Sequence, residues 1–164
     1  MSEEHEANIT IFNSALETGV RSVIILTANY PNALDLQRLV DFDYLVVHSG
    51  DVNGPESLHP PIPMREGELL IRRTIIESGL ALMMSRGLIT RIMSVEGIVY
   101  QASDYAKPFV DSLVTPYMRS LDKRANWAAE TFGSMDNQEL QNLINKFFNK
   151  WTTQFHPLKN IGSD

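Results

Sequence analysis

The sequence predicts a mainly helical domain that contains one β-hairpin. In the segment 67–88, apolar residues recur at helical spacing and cover more than half of the helix surface, so most of this helix is expected to be buried. In the next segment, 89–102, apolar and polar residues alternate on both sides of Ser94-Val95-Glu96-Gly97, a connection of hairpin length. A buried helix that leads straight into a hairpin is the core of a winged-helix domain. We therefore expect a winged-helix domain of three helices and a hairpin wing, with a C-terminal helical extension.

Two helices are predicted before this core. The first begins at Asn13 or Ser14, where a cap is available, and ends before Pro31. The second runs from about Leu34 to Val47 because its apolar residues keep helical spacing. Its polar residues are expected to face water, and they are Asp35, Gln37, Arg38 and Asp41.

Three helices are predicted after the hairpin. The first starts at Ser103 or Asp104, Thr115 caps the second with Pro116 at its first position, and Asp136 caps the third. We divide the chain into a disordered leader (1–10), the winged-helix domain (11–102), its helical extension (103–155) and a loose tail (156–164).

Composition and charge exclude several classes of function. The 164 residues carry a formal net charge of -6, which disfavours a dedicated nucleic-acid binder because such proteins present a basic surface to phosphates. The chain has no cysteine, so it has neither a thiolate metal site nor a cysteine nucleophile. Its N-terminus is acidic and polar, and no apolar run approaches the roughly 18 residues needed to span a bilayer. We expect a cytoplasmic protein that does not contact a membrane.

One long irregular segment separates the second helix from the third. Residues 49–65 contain two glycines and four prolines, which neither a helix nor a central strand tolerates. Loops of this length are usually functional in compact domains, and the apolar residues Leu58, Ile62 and Met64 can anchor this one. A functional loop is therefore favoured over a tolerated surface insertion.

No catalytic constellation stands out. His48, Asp51 and His59 are residue types that could bind zinc or iron in a metal-dependent hydrolase. They lie on the proline-rich loop, without the rigidity of a helical i, i+4 ligand pair, so loop hydrogen bonds are the favoured interpretation. Asp41 and Asp43 point to different sides of a helix, which is poor geometry for acid–base chemistry. We expect a non-enzymatic protein without metal or cofactor.

DNA binding is the alternative function, since a winged helix can insert its third helix into the major groove. That helix offers Arg72, Arg73 and Arg86, but its wide apolar surface leaves little room for a groove-facing side. The hairpin adds Arg91, which Glu96 offsets. A winged-helix transcription regulator, usually a homodimer, is therefore kept as the second hypothesis.

Four runs carry a resemblance to a known family: DYLVVHSGD from Asp43 to Asp51, SLHP from Ser57 to Pro60, GELLIRR from Gly67 to Arg73 and LMMSRGL from Leu82 to Leu88. With them, residues 11–155 resemble the middle components of bacterial three-component ABC-ATPase systems. These are anti-phage defence operons, of which Lamassu is the best-known type.

The resemblance implies an adaptor subunit. Such a subunit is expected to bind an ATPase of the structural-maintenance-of-chromosomes (SMC) type, with coiled-coil arms, and to position an effector that is often a nuclease. DNA would be contacted only through the complex. The resemblance supplies no catalytic residue, and its polar residues are candidates for the protein interface: His48, Asp51, His59, Arg65, Glu68, Arg72 and Arg73. As the structural alternative, Arg72 and Arg73 close the loop by hydrogen-bonding its carbonyl groups.

Overall fold

The computed structural model describes residues 2–60 and 65–155, and the side chains of residues 15–60 and 70–147. In these ranges the chain forms six α-helices, one 3-10 helix and one two-stranded antiparallel sheet. The elements are α1 (Ser2–Asn29), α2 (Leu36–Val47), the 3-10 helix (Ser49–Val52), α3 (Arg65–Ser85), β1 (Ile89–Ser94), β2 (Gly97–Ala102), α4 (Ala106–Asp111), α5 (Pro116–Phe132) and α6 (Asn137–Phe155). The mainly helical prediction is confirmed, and the winged-helix assignment stays a prediction. The predicted loose tail, 156–164, lies outside the described residues.

The hairpin has the predicted position. Its pairs run from Ile89 opposite Ala102 to Ser94 opposite Gly97. The base is buried, since Ile89 and Ala102 belong to the core, and the tip is exposed. At the outer edge of β2, Tyr100 exchanges two backbone hydrogen bonds with Leu34, of 2.9 and 2.7 Å. The hairpin is therefore fixed to the connection between α1 and α2.

Two helix starts, those of α5 and α6, follow the predicted caps. The Thr115 hydroxyl accepts a hydrogen bond from the Met118 amide, and the Asp136 carboxylate accepts one of 2.8 Å from the Glu139 amide. The start predicted at Ser103 or Asp104 is wrong, because α4 begins at Ala106. The Ser103 hydroxyl donates to the Gly87 carbonyl instead, and so ties this segment back to the end of α3.

Helix α1 starts well before the predicted position. It begins at Ser2 instead of Asn13, so its helical backbone runs through the range for which the sequence predicts a disordered leader. The sequence of this first turn, Ser-Glu-Glu, is favourable for a helix start because acidic residues complement the positive end of the helix dipole. The prediction placed the boundary at the first apolar periodicity and overlooked this signal.

Helices α1 and α3 pack at very short distance. A Cβ atom built on Gly79 would lie 2.7 Å from the backbone nitrogen of Gly19 and 2.9 Å from the carbonyl oxygen of Ala15. Because these neighbours are backbone atoms, no side-chain rotation could make room. Two glycines thus set the distance between the two helices that form the centre of the fold.

The prediction that Asp41 faces water is wrong. Asp41 is only 2% exposed, because α6 covers this side of α2. Gln37 donates to one carboxylate oxygen at 3.2 Å, and Gln141 donates to the other at 2.6 Å. Burial raises the pKa of Asp41 to about 6, although both hydrogen bonds oppose the shift. A carboxylate that would be solvated on an isolated helix is thus a buried contact between α2 and α6.

This burial predicts a pH-dependent difference between wild type and the D41N variant. The pKa of Asp41 rises from its ordinary 3.8 to about 6 on folding, so its contribution to stability is present below pH 4 and is lost as the pH rises through 6. Since asparagine does not titrate, the free energy of unfolding of D41N minus that of wild type should grow by up to about 3 kcal/mol between pH 4 and pH 7. Urea unfolding at a series of pH values measures it, and a difference that stays constant would contradict the prediction.

Candidate partner-binding site

The proline-rich loop is folded back onto the end of α2. The amides of Leu58 and His59 both donate to the Val47 carbonyl at 3.0 Å. Across the loop, the Ser49 hydroxyl donates to the Pro55 carbonyl at 2.8 Å, and the Gly50 amide donates to the Ser57 hydroxyl at 2.9 Å. These bonds give residues 49–59 a definite shape, which the sequence pattern alone does not specify.

Helix α5 holds the outer side of the loop. Two nitrogens of Arg124 donate to the Glu56 carbonyl, at 3.1 and 2.9 Å. Gly54 packs on the ring of Trp127 so closely that a Cβ atom would lie 2.3 Å from the ring. An arginine of α5 therefore holds the loop, a contact that the sequence analysis did not predict. Whether Arg72 and Arg73 also bond loop carbonyls stays a prediction.

Three helices meet at a buried ionic cluster centred on Asp43 of α2, which is fully buried. Arg21 of α1 donates to both of its carboxylate oxygens, with its Nε at 2.5 Å and an Nη at 3.2 Å. Arg72 of α3 donates to the same carboxylate and is also buried. Burial alone would raise the pKa of Asp43, but the two guanidinium groups lower it below its ordinary value. The cluster therefore links α1, α2 and α3 through one ionised carboxylate.

A set of polar side chains, Glu17, Tyr117 and His59, connects this cluster to the surface of the protein. Glu17 lies 3.6 Å from Arg21 and accepts a hydrogen bond of 3.1 Å from the Tyr117 hydroxyl. The Nε2 atom of His59 lies 2.7 Å from the same hydroxyl, and the two rings are stacked with centroids 6.2 Å apart. Burial and the nearby Arg21 lower the pKa of His59, while burial and Glu17 raise the pKa of Tyr117 to about 12. The partly exposed His59 is thus a surface residue with a fixed position.

The remaining loop candidates lie beneath this surface. His48 is 1% exposed, with its ring 5.0 Å from that of Tyr44 and 6.3 Å from that of His59. The Tyr44 hydroxyl donates to Asp51 at 2.6 Å. Among the described residues, no group of three or more His, Asp or Glu side chains has a geometry that could hold a metal ion. Asp51 instead helps to fix the loop, and His48 fills its interior.

The candidates on α3 are divided between core and surface. Arg72 is part of the buried ionic cluster, where its side chain donates to Asp43. Arg73 is exposed, where its Nη1 donates to Gln37 at 3.1 Å and its Nε lies 3.9 Å from Glu77. The side chains of Arg65 and Glu68 lie outside the described residues. A contact of any of these residues with a partner stays a prediction.

The sequence analysis missed the exposed apolar residues of α3. Leu70 is 73% exposed and Ile71 is 64% exposed, whereas Ile76 and Leu80 are buried as predicted. The expectation that most of this helix is buried is therefore wrong at Leu70 and Ile71. Apolar periodicity shows that a side chain is hydrophobic but does not show whether another helix covers it. Exposed apolar side chains that adjoin one another can mark a protein interface.

These features define a class of protein: a small, mainly helical domain that carries a fixed polar loop and, on α3, exposed apolar residues. A family model, the ABC-three component (ABC-3C) system Middle Component 2, matches residues 11–154. Because the match covers most of the chain, the protein belongs to this family, and the resemblance to a middle component is confirmed. No curated protein and no solved structure matches the chain. Among the helices in the described residues, none is long and apolar enough to cross a membrane.

Proposed function

We propose that this chain is a non-enzymatic adaptor in a bacterial anti-phage defence complex of the Lamassu type. It binds an SMC-like ABC ATPase with coiled-coil arms and positions an effector subunit, often a nuclease. The observation that carries this proposal is membership of the Middle Component 2 family, since a component of a multi-component ABC system has protein partners. The complex works in the cytoplasm, and DNA reaches this subunit only through the assembly.

The surface that we assign to partner binding consists of the loop 49–60 and the first turns of α3. The loop is held by hydrogen bonds to Val47 and from Arg124, so little conformational entropy is lost when a partner binds it. Leu70 and Ile71 supply exposed apolar area, which is the main source of favourable free energy in protein association. The buried ionic cluster beneath this surface fixes α1, α2 and α3 relative to one another.

The alternative function, a winged-helix transcription regulator, gains less support from this geometry. A recognition helix needs exposed cations that reach phosphates and base edges. On α3, two of the exposed side chains are the apolar Leu70 and Ile71, and Arg73 is engaged with Gln37 and Glu77. The net charge of -6 also disfavours binding to the phosphates of DNA. Co-purification with the ATPase tests both functions, because an adaptor binds the ATPase and a transcription regulator does not need it.

The double variant L70S/I71S tests the proposed surface. The tagged chain is co-expressed with the products of its neighbouring genes, and retention of the ATPase and of the effector is measured after affinity purification. Because the two side chains are exposed, we expect the free energy of unfolding to change by less than about 1 kcal/mol. Retention of at least one partner should fall by about tenfold or more, since truncation of central apolar contacts typically costs 2 kcal/mol or more.

The control is V114S, which removes an exposed apolar side chain from the connection between α4 and α5, where Val114 is 61% exposed. It should retain both partners as wild type does. Retention of both partners by L70S/I71S at the wild-type level would show that this part of α3 is not the interface. Failure of the wild-type chain to retain any ATPase would contradict the adaptor function itself.

A further inference from the structure

A groove lies at the base of the hairpin, on a part of the surface that the proposed interface does not include. It consists of two adjoining pockets of about 410 and 250 Å³, between the end of α1, the hairpin and the start of α4. The two pockets share four lining residues, which are Tyr30, Ala102, Ser103 and Asp104. The smaller pocket is also lined by Tyr105, and the larger one by Lys107.

Two exposed aromatic rings border the smaller pocket. Tyr30 is 56% exposed and Tyr105 is 74% exposed, although both are large apolar rings. Within the part of the chain that the structure describes, neither ring packs against another aromatic ring, unlike His59 and Tyr117. An exposed tyrosine offers both a ring face and a hydroxyl to a ligand, which is why tyrosine is enriched in binding surfaces.

The charge of the smaller pocket is negative. Asp104 is the only charged residue among those described as its lining. Lys107 lines the larger pocket, but its ammonium group donates to Asp111 at 2.5 Å and is thus held by another carboxylate. The pocket is therefore lined by one acidic residue and two tyrosines, and a carboxylate and an aromatic ring both attract a cation.

The lining of the groove is held in place before any ligand arrives. The side-chain amide of Gln101 donates to the Pro31 carbonyl at 2.6 Å, beside Tyr30. The Ser103 hydroxyl donates to the Gly87 carbonyl at 2.6 Å, and the Tyr105 amide donates to the Ser103 hydroxyl at 3.2 Å. Since both ends of the lining are tied to the fold, a bound group would meet a largely formed site.

We propose that this groove binds an arginine side chain presented by a protein partner. The planar guanidinium group can lie over a tyrosine ring while it donates two hydrogen bonds to one carboxylate, which a lysine ammonium cannot do. This inference rests on the proposed adaptor function, because it assigns the arginine to a partner subunit. The groove would be a second contact with a partner, at the base of the hairpin, in addition to the surface formed by the loop and α3.

A peptide titration tests the groove on the isolated full chain. The probe is N-acetyl-Gly-Arg-Gly-amide, and the peptide with glutamine in place of arginine is the neutral comparison. Amide chemical shifts of the ¹⁵N-labelled protein should change saturably around residues 101–105, with a Kd on the order of 1 mM. The glutamine peptide should cause no saturable change, because it carries no charge for Asp104.

Four substitutions test whether the binding is specific to this groove. D104N should weaken binding of the arginine peptide by about fivefold or more, while E130Q, which removes the same charge from an exposed position on α5, should leave it unchanged. Y105L should weaken binding and Y105F should not, because phenylalanine keeps the ring face. Equal binding of the two peptides, equal affinity in D104N and E130Q, or shifts confined to other regions would overturn the proposal. A failure here leaves co-purification of the ATPase unaffected, so the two proposals fail separately.

Discussion

Replacement of Asp43 by asparagine is expected to lower the free energy of unfolding by about 3–5 kcal/mol. Asp43 is fully buried and accepts hydrogen bonds from Arg21 and Arg72, both of which are buried as well. Asparagine has nearly the same volume, so the loss would come from charge and not from a cavity. Two guanidinium groups would remain in the interior without their shared carboxylate. Denaturant unfolding at pH 7 measures the change.

A double-mutant cycle provides the control for this prediction. In the wild-type background, R72M removes one partner of the buried carboxylate and should be strongly destabilising. In the D43N background, the same substitution removes a buried uncompensated charge, so it should cost much less or restore part of the lost stability. If D43N unfolds within about 1 kcal/mol of wild type, or if the two substitutions are additive, the cluster does not hold the three helices together.

The second large effect is expected at the crossing of α1 and α3. In the variant G79V, the Cβ atom would lie 2.7 Å from the Gly19 nitrogen, so the two helices must separate. Overpacking of this kind costs about 1–3 kcal/mol, and the presence of backbone atoms on the opposite helix favours the upper end of that range. The variant A81V is the matched control, since Ala81 is exposed on the same helix and valine costs only helix propensity there.

Thermal unfolding of the two variants separates packing from propensity. We expect G79V to lower the midpoint by about 6–12 °C, the shift that corresponds to about 3 kcal/mol in a chain of this size, and A81V by only about 1–3 °C. Equal midpoints would show that the close approach of Gly19 and Gly79 is not required for the fold.

Local signals in the sequence predicted much of the fold correctly. The alternation around residues 94–97 predicted the hairpin at its observed position. Thr115 and Asp136 predicted two helix starts, because a side-chain cap involves only residues three positions apart. The buried residues Leu121, Ala125 and Ala128 of α5 recur at helical spacing, so this face too can be read from the local sequence.

Contacts between distant parts of the chain could not be predicted in this way. Asp41 has the spacing of a solvent-facing residue on α2, and its burial depends on α6, which supplies Gln141. Likewise, Arg124 donates to the loop at the Glu56 carbonyl, although it lies 68 positions after Glu56. A single sequence states which side chains are polar but not which pairs of them meet.

The candidate site shows the same limit. The distinctive polar runs pointed to the correct region, since His48, Asp51 and His59 share one folded loop. They did not distinguish the surface residue His59 from the buried His48, because that depends on how the loop folds back onto Val47. The exposed residues Leu70 and Ile71 were missed because an apolar residue on an amphipathic helix resembles a core residue in the sequence.

The intact mass of the co-purified assembly tests the central claim most directly. The tagged chain is co-expressed with the products of its neighbouring genes, purified in one affinity step and analysed by native mass spectrometry. The adaptor function predicts a complex of fixed stoichiometry that contains a large coiled-coil ATPase together with this chain. A chain that purifies alone as a homodimer and binds duplex DNA in a sequence-selective, salt-dependent manner would contradict the adaptor function and identify a transcription regulator instead.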